Sequence, residues 1–250
     1  MGWTQGTVVE RKAWTERHIS LRIDASFGNF QPGQFVRLGL EVDGEIVGRP
    51  YSLVNAPADP LLEIYFDVVP TGPLSPRLAA LAPGDRVLVG TAAYGFLVLS
   101  EMPAGSELWL IASGTGIGPF VSIVGDGTLW RHYDHLRLVH GVRHAAELAY
   151  AERLQAVTAP AGKGCRYLPL LSRESRAGTL SGRIPAAIAD SRLQRAAGLS
   201  FDPARSRVML CGNPAMVEDT MAALAAYGLG RHRRRSPGQI LIEEYWSRPA

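Results

Sequence analysis

Near residue 100 the chain changes rhythm, and the change restricts the fold more than any single motif does. Residues 4–98 hold short apolar-alternating segments divided by turn residues. Residues 18–23 alternate polar and apolar, as a half-buried strand must. Residues 34–42 and 45–54 flank Asp43-Gly44, a dipeptide suited to a two-residue hairpin turn. Residues 61–69 and 86–89 add further strands, and 74–81 one short helix. Short strands with frequent turns predict a small antiparallel barrel.

After Met102-Pro103-Ala104-Gly105-Ser106 the pattern alternates. Strands are expected over 108–112, 135–140, 166–171 and 207–211, with helices over 144–157, 184–197 and 214–227. Such alternation predicts a parallel sheet joined by crossovers. The chain therefore reads as two domains: an antiparallel β-barrel over residues 1–100, and an α/β parallel-sheet domain over 101–250. A length of 250 residues at 46% hydrophobic content can supply both cores.

Charge narrows the function classes. Residues 1–100 carry 8 basic and 10 acidic groups, whereas 101–250 carry 18 and 13, so the second part is the one disposed toward anions. Only Lys12 and Lys163 are lysines, so a single arginine in this chain is weak evidence of anything. Two cysteines, Cys165 and Cys211, exclude a four-cysteine cluster. His132, His135, His140 and His144 bracket one expected strand and do not predict a converging metal site. The uncharged run 108–125 is interrupted by Gly114, Gly116, Gly118 and Pro119, which argues against a membrane span. Met1-Gly2-Trp3-Thr4 lacks a signal-peptide profile. The expectation is a cytoplasmic monomer that binds neither membrane nor nucleic acid.

Each motif has a plain structural reading beside a functional one. Gly114-Thr115-Gly116-Ile117-Gly118-Pro119 follows a strand, so it is either a tight turn or a place where backbone amides approach a phosphate. Arg49-Pro50-Tyr51-Ser52 is either an ordinary strand end or a phosphate clamp beside a stacking ring and a hydrogen-bonding hydroxyl. Cys211-Gly212-Asn213-Pro214 ends a strand at the edge where open α/β sheets bind ligands. Ser172-Arg173, with Arg183 ten residues on, either holds a phosphate or merely reflects the chain-wide excess of arginine. Arg231-His232-Arg233-Arg234-Arg235 is either a solvated run or a dock for an acidic protein.

Taken in order, these segments, with Leu74-Ser75-Pro76-Arg77-Leu78, Ser181-Gly182-Arg183-Ile184-Pro185 and the aromatic pair Tyr245-Trp246, closely resemble the bacterial ferredoxin/flavodoxin–NADP+ reductases. The resemblance runs from about residue 4 to Trp246 and implies an FAD-binding barrel followed by an NADP-binding domain with a C-terminal aromatic tail. On the flavin side it assigns the FAD pyrophosphate to Arg49, beside Pro50, with Tyr51 stacked on the flavin and Ser52 near its N5. Tyr65, Phe66, Asp67 and Val68 match the strand lining the flavin. Pro73, Leu74 and Ser75 match a phosphate-holding turn, in which Pro73 offers no N–H. Thr115 matches a residue beside the flavin, and Tyr245 and Trp246 an aromatic cover. Four residues, Ser247-Arg248-Pro249-Ala250, follow that pair.

On the NADP side the resemblance assigns Val142, Arg143, Ser172, Arg173 and Arg183 to the adenosine and its 2′-phosphate. Gly212, Asn213, Pro214 and Asp219 complete the site, and Cys211 shapes the nicotinamide pocket. The implied activity is electron exchange between NADP(H) and ferredoxin or flavodoxin through FAD: hydride to flavin N5, then single-electron transfers. The acidic partner is expected near Arg231, Arg233, Arg234 and Arg235. Two alternatives remain at this point: a reductase module serving an oxygenase or free flavin, and a non-enzymatic binding protein.

Overall fold

The structure, a computed structural model, describes residues 2–244. The chain packs as two compact units, Met1–Leu99 with Gly118–Asp126, and Ser100–Ile117 with Gly127–Ala250. Among the described residues, no helix is long and apolar enough to cross a membrane.

The first unit is an antiparallel sheet. Its strands are β1 (Trp3–Ala13), β2 (His18–Ala25), β3 (Phe35–Val42), β4 (Glu45–Ser52), β5 (Leu62–Asp67) and, after the short helix α1 (Ser75–Ala80), β6 (Arg86–Gly90). They lie in the order β4-β3-β6-β1-β2-β5. Asp43 and Gly44 take φ of 53° and 82°, the paired left-handed residues that a tight hairpin between β3 and β4 requires. Just past β4, Leu53 bridges Ile64 of β5 and Val54 N–H donates to the Glu63 carbonyl at 2.8 Å. The two edge strands thereby meet, and the sheet closes as a barrel around Leu21, Ile23, Val36, Leu38, Ile64 and Val89. The expectation for residues 4–98 did not single out β1 as a strand. Its charged stretch Glu10-Arg11-Lys12 masks alternation, and a bulge between Val8 and Glu10 breaks the period.

The second unit is built on a parallel sheet of β7 (Glu107–Ser113), β8 (His135–Val142), β9 (Gly164–Leu171), β10 (Leu180–Ser181), β11 (Ser206–Gly212) and β12 (Ile240–Glu244), ordered β10-β9-β8-β7-β11-β12. Strands covered on both faces need no polar side, which explains the unbroken apolar runs in β7 and β11. From β7 the chain first winds through β8 to β10 and then crosses to β11. The switch therefore falls between β7 and β11, where open sheets of this kind leave a crevice at the strands' C-terminal ends.

Helix α2 (Gly118–Asp126) follows the glycine turn but groups with the first unit. There the Ser122 hydroxyl donates to the Asn55 carbonyl at 2.6 Å, both residues being buried. Two expected helices are corrected. Residues 144–157 give a single 3-10 turn, Ala145–Glu147, and the short helix α3 (Ala151–Gln155), interrupted at Tyr150, whose φ of 61° lies outside the right-handed helical region. Residues 184–197 give two helices, α4 (Ile184–Ala189) and α5 (Arg192–Ala197), broken at Ser191 with φ 62°. Helix α6 (Pro214–Ala225) lies where expected, opened by Asn213, whose side-chain oxygen accepts from Ala215 N and Met216 N. Strand β12 lies outside the expected set of strands; its apolar part is only Ile240-Leu241-Ile242, set between Ser236-Pro237-Gly238-Gln239 and two glutamates.

Candidate functional site

Two groups of site residues form, one in each unit. In the barrel, Arg49 and Tyr51 are two apart on β4 and so share a face. The Arg49 guanidinium is exposed and donates through Nη1 to the Gly48 carbonyl at 2.8 Å. The half-buried Tyr51 ring meets Phe66 edge-on, centroids 5.6 Å apart. Burial pushes the Tyr51 phenol up to about 12, against a smaller downward pull from Arg49, so the ring stays neutral. Ser52, on the opposite face, is buried.

The expected flavin-lining residues 65–68 do not present one common face. Phe66 and Val68 pack toward the barrel core with Tyr51. Tyr65 lies against Trp14 and His18 instead, at 6.3 and 6.0 Å between centroids. Asp67 Oδ2 receives Arg17 Nη2 at 2.9 Å, while its other oxygen is buried with no hydrogen-bond partner. In the turn before α1, Pro73 gives its carbonyl to Arg77 Nη1 at 2.9 Å and the Leu74 side chain is buried. The Ser75 hydroxyl accepts from Val69 N at 3.0 Å. What this turn has left for an anion is its backbone amides and the remaining hydroxyl hydrogen of Ser75.

In the second unit, the ladder between β8 and β9 continues beyond the strands. Ser172 N–H donates to the Val142 carbonyl at 2.9 Å and Arg173 N–H to the Arg143 carbonyl at 3.0 Å. One step outward, Gly182 N–H donates to the Leu171 carbonyl at 2.8 Å, which brings Arg183 to the same C-terminal edge of the sheet. Val142 is buried, whereas Arg143, Ser172, Arg173 and Arg183 are exposed. Other arginines are spent internally. Arg137 and Arg207, both buried, donate to carbonyls of Ala197 and Leu136, and of Ser206 and Pro203, at 2.7–3.1 Å. Exposure together with position at the ligand-binding edge is what separates the three candidate arginines from the compositional excess.

At the C-terminal ends of β7 and β11, a Cβ on Gly116 would lie 2.4 Å from the Cys211 carbonyl oxygen, and one on Gly212 2.3 Å from Ser113 Oγ. Packing demands both glycines, and Gly212 also takes φ 138°, a backbone that L side chains rarely adopt. Gly114 differs: it takes φ 54°, and a Cβ there would meet nothing within 4 Å, so its backbone borders open space. This opening, with the exposed arginines along the same edge, fits a phosphorylated ligand. Thr115 is half-buried beside it. The Cys211 side chain is fully buried, which suits a packing role and not a nucleophile. Asn213 N–H donates to Ser113 Oγ at 3.1 Å, and its side-chain oxygen caps α6, so this residue shapes the strand end before it contacts anything else. Pro214 opens α6, and Asp219 is exposed on it. Tyr245 and Trp246 lie outside the described residues.

Residues 110–222 match a family model described as the oxidoreductase NAD-binding domain. The flavodoxin/ferredoxin–NADP reductase of Escherichia coli (strain K12) is 45% identical over 245 residues, 98% of this chain and 99% of the relative. The chain belongs to the flavodoxin/ferredoxin–NADP reductase family. A solved ferredoxin NADP+ reductase from Neisseria gonorrhoeae with bound FAD and NADP superposes with a TM-score of 0.92 at 32% identity, covering 98% of this chain and 100% of that one. An Amycolatopsis cytochrome P450 reductase is also similar, with a TM-score of 0.78 at 28% identity, but this chain covers only 70% of it.

Several residues that shape this candidate site carry no motif. Ser113 ends β7 and receives Asn213 N–H. Glu174 accepts from Ala145 N at 3.0 Å and lies 3.3 Å from His144 Nδ1, while Glu147 accepts from Arg143 N at 3.1 Å. These carboxylates brace the loops that carry the arginines. Glu174 adjoins Ser172-Arg173 in sequence, the only signal by which it was findable.

Proposed function

We propose that this protein exchanges electrons between NADP(H) and ferredoxin or flavodoxin, using FAD. Full-length similarity to reductases of that name carries the reading, because it spans both units and not merely the nucleotide-binding half. Partial coverage of the P450 reductase makes the oxygenase-module alternative the weaker one. Bound FAD supplies the conversion between hydride and single-electron chemistry; the protein supplies binding, orientation and exclusion of water.

In this reading residues 1–100 hold FAD and residues 101–250 hold NADP. Arg49 takes the FAD pyrophosphate, Tyr51 offers a neutral aromatic face, and Ser52 offers a hydroxyl toward the flavin N5. Backbone from Tyr65 to Val68 lines the ring, and the turn Pro73-Leu74-Ser75 meets phosphate. Arg143, Ser172, Arg173 and Arg183 hold the adenosine 2′-phosphate, a dianion that guanidinium groups clamp bidentately. Cys211, Gly212, Asn213 and Pro214 shape the nicotinamide end.

The acidic protein partner docks at Arg231, Arg233 and Arg235. These residues are exposed on a tight loop in which Arg233 and Ser236 exchange backbone hydrogen bonds at 3.0 and 2.9 Å. Arg234 has a separate task, because it pairs with Glu101 at 2.6 Å and tethers the loop. Two free cysteines suit a reducing compartment, in keeping with a cytoplasmic enzyme, and we take it to act as a monomer. The deciding experiment is an absorbance spectrum followed by anaerobic NADPH titration, then comparison of ferredoxin, flavodoxin and free flavin as acceptors. A folded, colourless preparation that takes up no FAD would sink the proposal.

A further inference from the structure

His140 lies near the end of β8, fully buried, on the sheet face opposite Val139. Its Nε2 is 3.0 Å from the carbonyl oxygen of Gly114, and its Nδ1 is 3.2 Å from the Tyr167 hydroxyl on the neighbouring strand β9. A carbonyl can only accept, so Nε2 must carry the hydrogen. Burial pushes the Tyr167 phenol well above its ordinary range, so that hydroxyl stays protonated. In the neutral imidazole it donates to Nδ1 and holds the ring in the Nε2–H tautomer. The chain of donors thus runs from Tyr167 through His140 to the first glycine of the turn.

That glycine is where an anchor matters. Gly114 opens a short 3-10 turn, Gly114–Ile117, at φ 54°, and a Cβ there would meet nothing within 4 Å, so the orientation of the peptide that follows depends on hydrogen bonds and not on side-chain packing at this residue. The Gly114–Thr115 peptide is trans, and in a trans peptide the C=O and the N–H point in opposite directions. Fixing the Gly114 oxygen on His140 therefore aims the Thr115 N–H away from the sheet interior. We infer that His140 is a positioning residue for NADP binding, which locks the Gly114–Thr115 peptide in the one orientation that turns an amide donor toward the dinucleotide. The inference rests on the NADP reading above and adds a residue to it.

The test uses the full-length, FAD-loaded protein. Long-range 1H–15N NMR should show His140 as the Nε2–H tautomer. Calorimetric titration with NADP+ should show binding weakened about ten-fold in His140→Phe, which removes the side-chain donor to the Gly114 carbonyl. His140→Gln returns an amide N–H at the Nε2 position and should recover affinity to within about three-fold of wild type. FAD content and melting temperature should be alike in the two variants, which separates positioning from loss of fold. Wild-type NADP+ affinity in His140→Phe would overturn the inference, as would equal weakening in a well-folded His140→Gln. Should His140→Phe not fold, the wild-type tautomer and His140→Gln decide: an Nδ1–H ring, or a folded His140→Gln as weak as ten-fold below wild type, refutes it. Failure of the wild type itself to bind NADP+ would instead count against the NADP reading.

Discussion

Arg173 donates its backbone N–H to the carbonyl of Arg143 at 3.0 Å, beyond the ends of β9 and β8. Thirty residues separate the pair in the chain, yet one hydrogen bond sets their backbones side by side at the edge where a parallel sheet receives ligands. Glu147 and Glu174 hold the adjoining loop amides. The backbone is thus braced before any ligand arrives, and the guanidinium groups remain exposed.

Arg173→Ala and Arg183→Ala should each raise the KM for NADPH about ten-fold to a hundred-fold, the cost of losing charge-assisted bonds to a phosphate. The KM for NADH, which lacks the 2′-phosphate, should change little. Steady-state kinetics with both nucleotides checks this, and equal shifts would remove the 2′-phosphate assignment.

Gly116→Ala and Gly114→Ala should separate packing from conformation. The first forces a methyl to 2.4 Å from the Cys211 carbonyl oxygen and should cost about 2–3 kcal/mol in denaturant unfolding. The second meets open space and bears only the left-handed penalty, about 1 kcal/mol. Similar losses would contradict this account of the turn.

Asn55 Oδ1 accepts the Glu63 N–H at 2.8 Å, and the Asn55 side chain is buried. Asn55→Ala leaves that amide without its acceptor where the barrel closes, and should cost about 1–3 kcal/mol. Chemical denaturation of the holoprotein measures it, with FAD retention as the companion readout.

Alkaline pH should weaken the fold. Burial raises the Tyr51 and Tyr133 phenols from 10.0 to about 12, so between these values the unfolded chain gives up protons that the native protein keeps. The associated stability is complete below pH 10 and drains as pH rises through 12. Urea midpoints from pH 8 to 12 should fall over that window, and less steeply in Tyr51→Phe; a flat profile would contradict the burial of these phenols.

Reversing charge at Arg231, Arg233 and Arg235 should slow reduction of an acidic ferredoxin and flatten its dependence on salt, without changing NADPH reduction of a small dye. Glu101→Gln should release the tether on Arg234 and disturb docking through the loop's shape. Stopped-flow rates across ionic strengths distinguish the two effects.

Local chemistry made much of this protein legible from its residues. Asp43-Gly44 accepts two left-handed residues, so the hairpin was readable from two letters. Unbroken apolar runs in β7 and β11 announced strands buried on both faces. Motif order carried the family, because each segment marks a separate strand end. Where one residue in left-handed backbone interrupts an expected helix, as at Tyr150 and Ser191, helical spacing misleads, since periodicity records side-chain polarity and not φ. Tertiary structure alone decided which arginines are free. Arg137 and Arg207 are chemically the same as Arg143 and Arg173, but the first two lie buried against carbonyl oxygens and the last two stand exposed at the strand ends. In sequence His140 is one of six histidines, four of them clustered between residues 132 and 144. Only the parallel registers of β8 with β7 and with β9, which set it between Gly114 and Tyr167, give it a defined tautomer, because a hydrogen bond depends on position in space and not along the chain.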